Sequence, residues 1–174
     1  MVVKAVCENL DNSISNIINQ VFENDEFVDL NFYESADFDA TTYGDTQVSP
    51  QISGDTERII ANVTLNVTLL PNASQEFIVS TIIHEVLHAY LDYTRDRDLF
   101  NDHEEMANEC VERMAIALKN LFPKLSKSDA EALAWGGLEE AQAWKTMLID
   151  EPIKANAILK LNQNHAKGKS GTKC

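Results

Sequence analysis

Basic residues are scarce. Fourteen lysines and arginines stand against 28 aspartates and glutamates, a formal net charge of −14. Nucleic-acid binders usually carry a basic face, because released counterions supply most of their non-specific affinity. The longest basic cluster here is the Gly- and Ser-rich tail Lys167, Lys169, Lys173, read as frayed. Neither nucleic acid nor an anionic membrane is therefore an expected partner. Cysteine is sparse too: Cys7, Cys110 and Cys174 are odd in number and widely scattered, so no disulfide framework is implied. No apolar run approaches the ~18–20 residues of a membrane helix. The start, Met1-Val-Val-Lys-Ala-Val-Cys7-Glu8, has too few apolar residues for a secretory signal. As encoded, the chain reads as cytoplasmic.

What is present is ordinary. A hydrophobic fraction of 44% and a charged fraction of 24% over 174 residues suit one globular domain and exclude disordered, collagen-like and rod-like chains. Ile14, Ile17, Ile18, Val21 and Phe22 have helical spacing, and Val28, Leu30 and Phe32 alternate as a short strand. Residues 34–57 are polar and long for a structureless loop, so they are functional or hide short strands. Ala61, Val63, Leu65, Val67 and Leu69 then alternate with Asn62, Thr64, Asn66 and Thr68, which predicts a strand over 59–69 with one buried and one wet face.

Asn72 and Gln75 suggest a capping box for a helix to about Tyr93, apolar on nearly its whole circumference and so central. Asp102 with Glu105 opens the next helix, which Pro123 ends. Ser128 with Glu131 opens a short helix stopping at Gly136-Gly137, and helical segments follow over about 138–148 and 152–161. The expectation is one α+β domain over residues 1–174, with a flexible tail from about residue 163.

Two of the four histidines fall in His84-Glu85-Val86-Leu87-His88. Residues i and i+4 share a helix face, so two imidazoles can reach one ion while Glu85 projects beside it towards a bound water. Two histidines and a glutamate on a buried helix are costly unless paired or coordinated. A catalytic zinc takes three protein ligands and leaves a position for water. Helical phase selects His103, in line with Met106, Ala107, Cys110 and Met114, as the third ligand. Glu104 and Glu109 stay open as alternatives, and Glu105 and Glu112 read as solvated charge. Trp135 and Trp144 read as core or groove packing, and His165 as a surface residue.

The run His84-Glu-Val-Leu-His88-Ala-Tyr-Leu followed by Asp102-His103 resembles the zincin metallopeptidases, and among them the SprT-like group with its later third histidine. The likeness covers about residues 59–121. It implies a zinc-dependent peptidase of zincin-like α+β fold, with an edge strand ahead of the active-site helix along which peptides lie antiparallel. The strand at 59–69 stands in that place, which makes Asn62, Thr64 and Asn66 the expected substrate-binding residues. His84, His88 and His103 would hold Zn2+, and Glu85 would be the catalytic base that takes the proton of the zinc-activated water and passes it to the leaving amine. Tyr43, Tyr90 and Tyr93 are the candidates for holding the oxyanion.

The stretch Ala132-Leu-Ala-Trp135-Gly-Gly-Leu138 with Ala143-Trp144 also looks like the ends of some bacterial polymorphic-toxin proteins. That likeness implies a secreted effector domain with an immunity protein as partner. The contrasting reading is a metal-stapled interaction module without activity.

Overall fold

The computed structural model describes residues 28–53, 56–94 and 102–173. The helix expected over residues 12–23 lies outside them. Three strands, β1 (Val28–Ser35), β2 (Gly44–Ser53) and β3 (Thr56–Asn66), form one sheet in the order β1-β3-β2. β1 runs parallel to β3, from Val28 opposite Ile59 to Ser35 opposite Asn66. β2 runs antiparallel to it, from Gly44 opposite Leu65 to Ser53 opposite Thr56. The polar stretch 34–57, expected to be functional or to hide short strands, thus contains a strand of ten residues. It is an edge strand among the described residues, which is why it tolerates Pro50 and a mostly polar sequence.

This topology corrects the expected position of the edge. β3 is the central strand, paired on both sides, so Asn62, Thr64 and Asn66 have no free backbone edge to offer a peptide. Ala61 and Val63 are buried as the alternation predicts, but the strand stops at Asn66. Asn66 is itself buried rather than wet, and its side chain turns the chain: Oδ1 accepts the N–H groups of Thr68 (2.8 Å) and Leu69 (3.2 Å), and Nδ2 donates to the Thr42 carbonyl at 2.7 Å. An Asx turn of this kind competes with the strand ladder and ends it.

Helix α1 (Gln75–Thr94) packs on β2 and β3. Phe77, Val79, Ile82, Ile83, Val86, Leu87, Ala89 and Leu91 are all buried, as expected of a helix at the centre of the domain. Its cap is Ser74 rather than Asn72: the Ser74 hydroxyl accepts the Phe77 N–H at 3.2 Å, while Asn72 belongs to the 3-10 turn Leu70–Asn72.

The next helical run comprises α2 (Asp102–Glu105), a π-helical stretch (Met106–Cys110) and α3 (Val111–Leu121). α4 (Lys127–Ala134) is capped by Ser126, which accepts the Asp129 N–H, two residues before the expected cap. α5 (Gln142–Asp150) and α6 (Pro152–Ala166) complete the fold. Trp135 and Trp144 are buried with ring centroids 5.5 Å apart.

The C-terminal tail does not fray as expected. The Gln75 N–H donates to the Thr172 carbonyl (2.8 Å), and Glu76 accepts both the N–H and hydroxyl of Thr172. His165, read as a surface residue, is 1% exposed, its Nδ1 2.9 Å from Ser74 Oγ and its Nε2 3.2 Å from Asp129. Partners 91 and 36 residues away make this burial, so nothing in the local sequence announces it. Among the described residues no helix is long and apolar enough to cross a membrane.

Candidate metal centre

Because α1 is helical through residues 84–88, His84 and His88 leave it on one face, one turn apart. Their Nε2 atoms are 3.1 Å from each other. α2 brings in His103, whose ring centroid lies 5.4 Å from that of His84 and 4.9 Å from that of His88. One ring nitrogen from each of the three falls within 4.8 Å of the others, so the trio can hold a metal ion. The fit is chemical as well as spatial. Tetrahedral zinc with Zn–N bonds of ~2.0–2.1 Å sets its nitrogens roughly 3.3 Å apart, close to the His84–His88 separation. His84 is buried with its Nε2 turned to His88, and among the described residues its Nδ1 has no hydrogen-bond partner.

Electrostatics keep the rings in their ligating form. Burial, then the neighbouring His88 and His103, hold His84 well below the ordinary 6.5. Burial and His88 likewise lower His103, against opposition from Glu140 and Asp102. Both are neutral near pH 7, as metal ligation requires. His88 Nδ1 is 2.9 Å from Asp102 Oδ2, an outer partner that fixes the ring and leaves Nε2 for a metal.

Glu85 is buried on the same helix, beside this cluster. Burial raises its carboxyl above the usual 4.5, with Asp45 adding to the rise and Thr46 and His88 opposing it. The Thr46 hydroxyl, on β2, lies 2.8 Å from Glu85 Oε2 and 2.9 Å from the Glu85 carbonyl. A Cβ on Gly44 would come 2.9 Å from Glu85 Cγ, so glycine lets the strand pass this close to the carboxylate.

His84, Glu85, His88 and His103 line a cleft of about 500 Å³. One wall is the Thr41–Thr46 segment. Its approach is tied by Asp39, whose carboxylate, held down to about 2 by bonds from Thr41 and Thr42, binds their hydroxyls and N–H groups. Asn66 braces this wall from behind, so it acts on the cleft through Thr42 and Tyr43 rather than by facing it. Leu133, Gly136, Gly137, Glu139 and Asn162 also line the cleft. Gly137 has φ +84°, and a Cβ there would come 2.9 Å from His84 Cε1.

Of the three tyrosines considered for the oxyanion, Tyr43 lines the cleft, edge-on to Phe77 at 4.7 Å. Tyr90 is half-buried and is not among the lining residues, and the Tyr93 side chain lies outside those described. Of the alternative ligands, Glu109 is exposed and Glu104 accepts the Gln142 N–H at 2.6 Å. Neither belongs to the histidine cluster. Sequence reasoning missed Thr46 and Gly44, because a polar edge strand announces neither its presence nor its direction.

No curated protein and no solved structure gives a significant match to the chain. The SprT-like family model matches residues 10–121. That span holds the sheet, α1 and the His103 turn, and it stops at the last residue of α3. It therefore takes in every histidine of the cluster together with Glu85, and by this match the chain belongs to the SprT-like family.

Proposed function

We propose that this domain is a zinc-dependent peptidase. The observation that carries the reading is the convergence of His84, His88 and His103 in one cleft with a buried, strand-anchored Glu85. Three imidazole donors with a carboxylate behind one of them suit zinc. When bound, zinc supplies Lewis acidity, polarising a carbonyl and bringing the pKa of water towards ~7.

The rest of the chemistry belongs to the chain. Glu85, with its pKa raised towards the working range of a general base, accepts a proton from the attacking water and gives it to the amine nitrogen as the C–N bond breaks. Thr46 fixes the carboxylate by its Oε2 atom, and Asp102 fixes the His88 ring by Nδ1. The peptide lies extended along β2, the edge strand that borders the cleft, held mainly by backbone hydrogen bonds. Side-chain preference comes from the space between Tyr43, Phe77, Leu133 and Asn162. Selectivity for sequence is accordingly modest.

Metal analysis of the purified chain, with peptidase assays on an unfolded protein, tests the reading. About one zinc per molecule and hydrolysis that needs Glu85 are expected. Zinc bound without hydrolysis would leave a metal-stapled module instead, and no zinc would remove the site altogether.

A further inference from the structure

The turn carrying His103 is short. α2 has four residues and passes directly into the π-helical stretch. Among the described residues, two polar ties from this turn reach other elements. Asp102 reaches back to His88, and Glu104, the next residue after His103, reaches forward across 38 positions to α5, where its Oε2 accepts the Gln142 N–H at 2.6 Å. Gln142 is the first residue of that nine-residue helix, and its own N-cap, Ala141, supplies no side-chain acceptor. Glu104 thus does from a distance what a capping side chain does locally, with a carboxylate set against the positive end of the helix. Its other oxygen, Oε1, accepts from Asn108 Nδ2 at 3.3 Å. α5 is a firm anchor, since Leu138 and Ala141 before its start and Trp144 in its first turn are buried.

We propose that Glu104 is a positioning residue for the third metal ligand: by accepting the first N–H of α5 it fixes the turn that carries His103. The affinity of the site is then set partly by a helix that provides no ligand and lies beyond the family match. This inference rests on the reading of His103 as a ligand, and the experiment separates the two.

The measurement is Zn2+ affinity of the full chain, by competition with a chromophoric chelator, with circular dichroism as the check on folding. Glu104→Ala should weaken binding ~10-fold or more, as loss of an outer partner does. Glu104→Gln, whose amide oxygen still accepts an N–H, should recover most of the affinity. Gln142→Pro removes the donated N–H while suiting the first position of a helix, and Ala141 already has the extended ψ of 147° that a residue before proline adopts. It should match Glu104→Ala, and the double variant should be no weaker than either single one. Wild-type affinity in Glu104→Ala or in Gln142→Pro would overturn the proposal. Equal loss in Glu104→Gln and Glu104→Ala would overturn it too, since charge rather than the hydrogen bond would matter. No change in His103→Ala, or no zinc in the wild type, would instead remove the ligand reading beneath it.

Discussion

The two halves of the molecule line the cleft with different kinds of residue. In the first, β2, α1 and α2 bring Thr46, His84, Glu85, His88 and His103, groups that accept protons, donate them or bind metal. In the second, the helical part from residue 122 onward brings Leu133, Gly136, Gly137, Glu139 and Asn162. None of these belongs to the histidine cluster, yet a Gly137 Cβ would meet the His84 ring, and the Ser80 hydroxyl, one turn before His84, donates to the Leu133 carbonyl at 2.8 Å. The first half holds the reactive groups, and the second fixes where they can be. The family match covers the first and not the second.

The largest effects should follow from the reactive half. His88→Ala should abolish zinc binding, measured as metal content after dialysis, because two imidazoles make a poor zinc site. Retained metal would move the site elsewhere. The comparison is tested more sharply by a pair of glycines. Gly137→Ala sets a Cβ 2.9 Å from His84 Cε1 at a φ of +84° and should lower zinc affinity ~10–100-fold by displacing that ring, with every ligand residue kept. Gly44→Ala meets the Glu85 side chain instead and should lower turnover at an unchanged metal load. If both variants lost metal alike, the division of labour between the two halves would fail.

A smaller effect is expected at Thr46. Thr46→Val removes the hydroxyl beside Glu85 Oε2 and should reduce kcat ~10-fold with little change in KM, whereas Thr46→Ser should restore it. Smallest is the effect of the tail contact. Burial would raise the Glu76 carboxyl, but hydrogen bonds from the Thr172 hydroxyl and N–H, with smaller help from the Glu76 N–H and the Ser74 hydroxyl, together outweigh it and hold the pKa below the usual 4.5. A depressed carboxylate adds stability above its unfolded pKa and loses it as pH falls through the folded one. Wild type should therefore out-melt Glu76→Gln at pH 7 by about 1–2 kcal/mol, and the gap should close on acidification below 4.5.

The halves also differed in how far the sequence announced them. α1 and its histidines were legible because a buried helix must be apolar all round, so two imidazoles and a carboxylate on it stand out. His103 was legible from its phase only as far as the buried Met106, three residues on, because the π-helical stretch Met106–Cys110 shifts the phase before Met114. β2 was not, because an edge strand is held by backbone bonds to β3 and needs little apolar alternation of its own. Without β2, β3 reads as the edge, and Asn62, Thr64 and Asn66 read as substrate-binding. The burial of His165 and the capping of α5 by Glu104 were hidden for a different reason, since both depend on partners more than 30 positions away.

The central claim is that Glu85 does the proton transfer while the histidines hold the metal. Its most direct test is Glu85→Gln, which keeps size and hydrogen bonding but cannot accept a proton. Zinc content and zinc affinity should match the wild type, while hydrolysis of an unfolded protein falls by at least ~10²-fold. Hydrolysis at the wild-type rate with zinc in place would contradict the account.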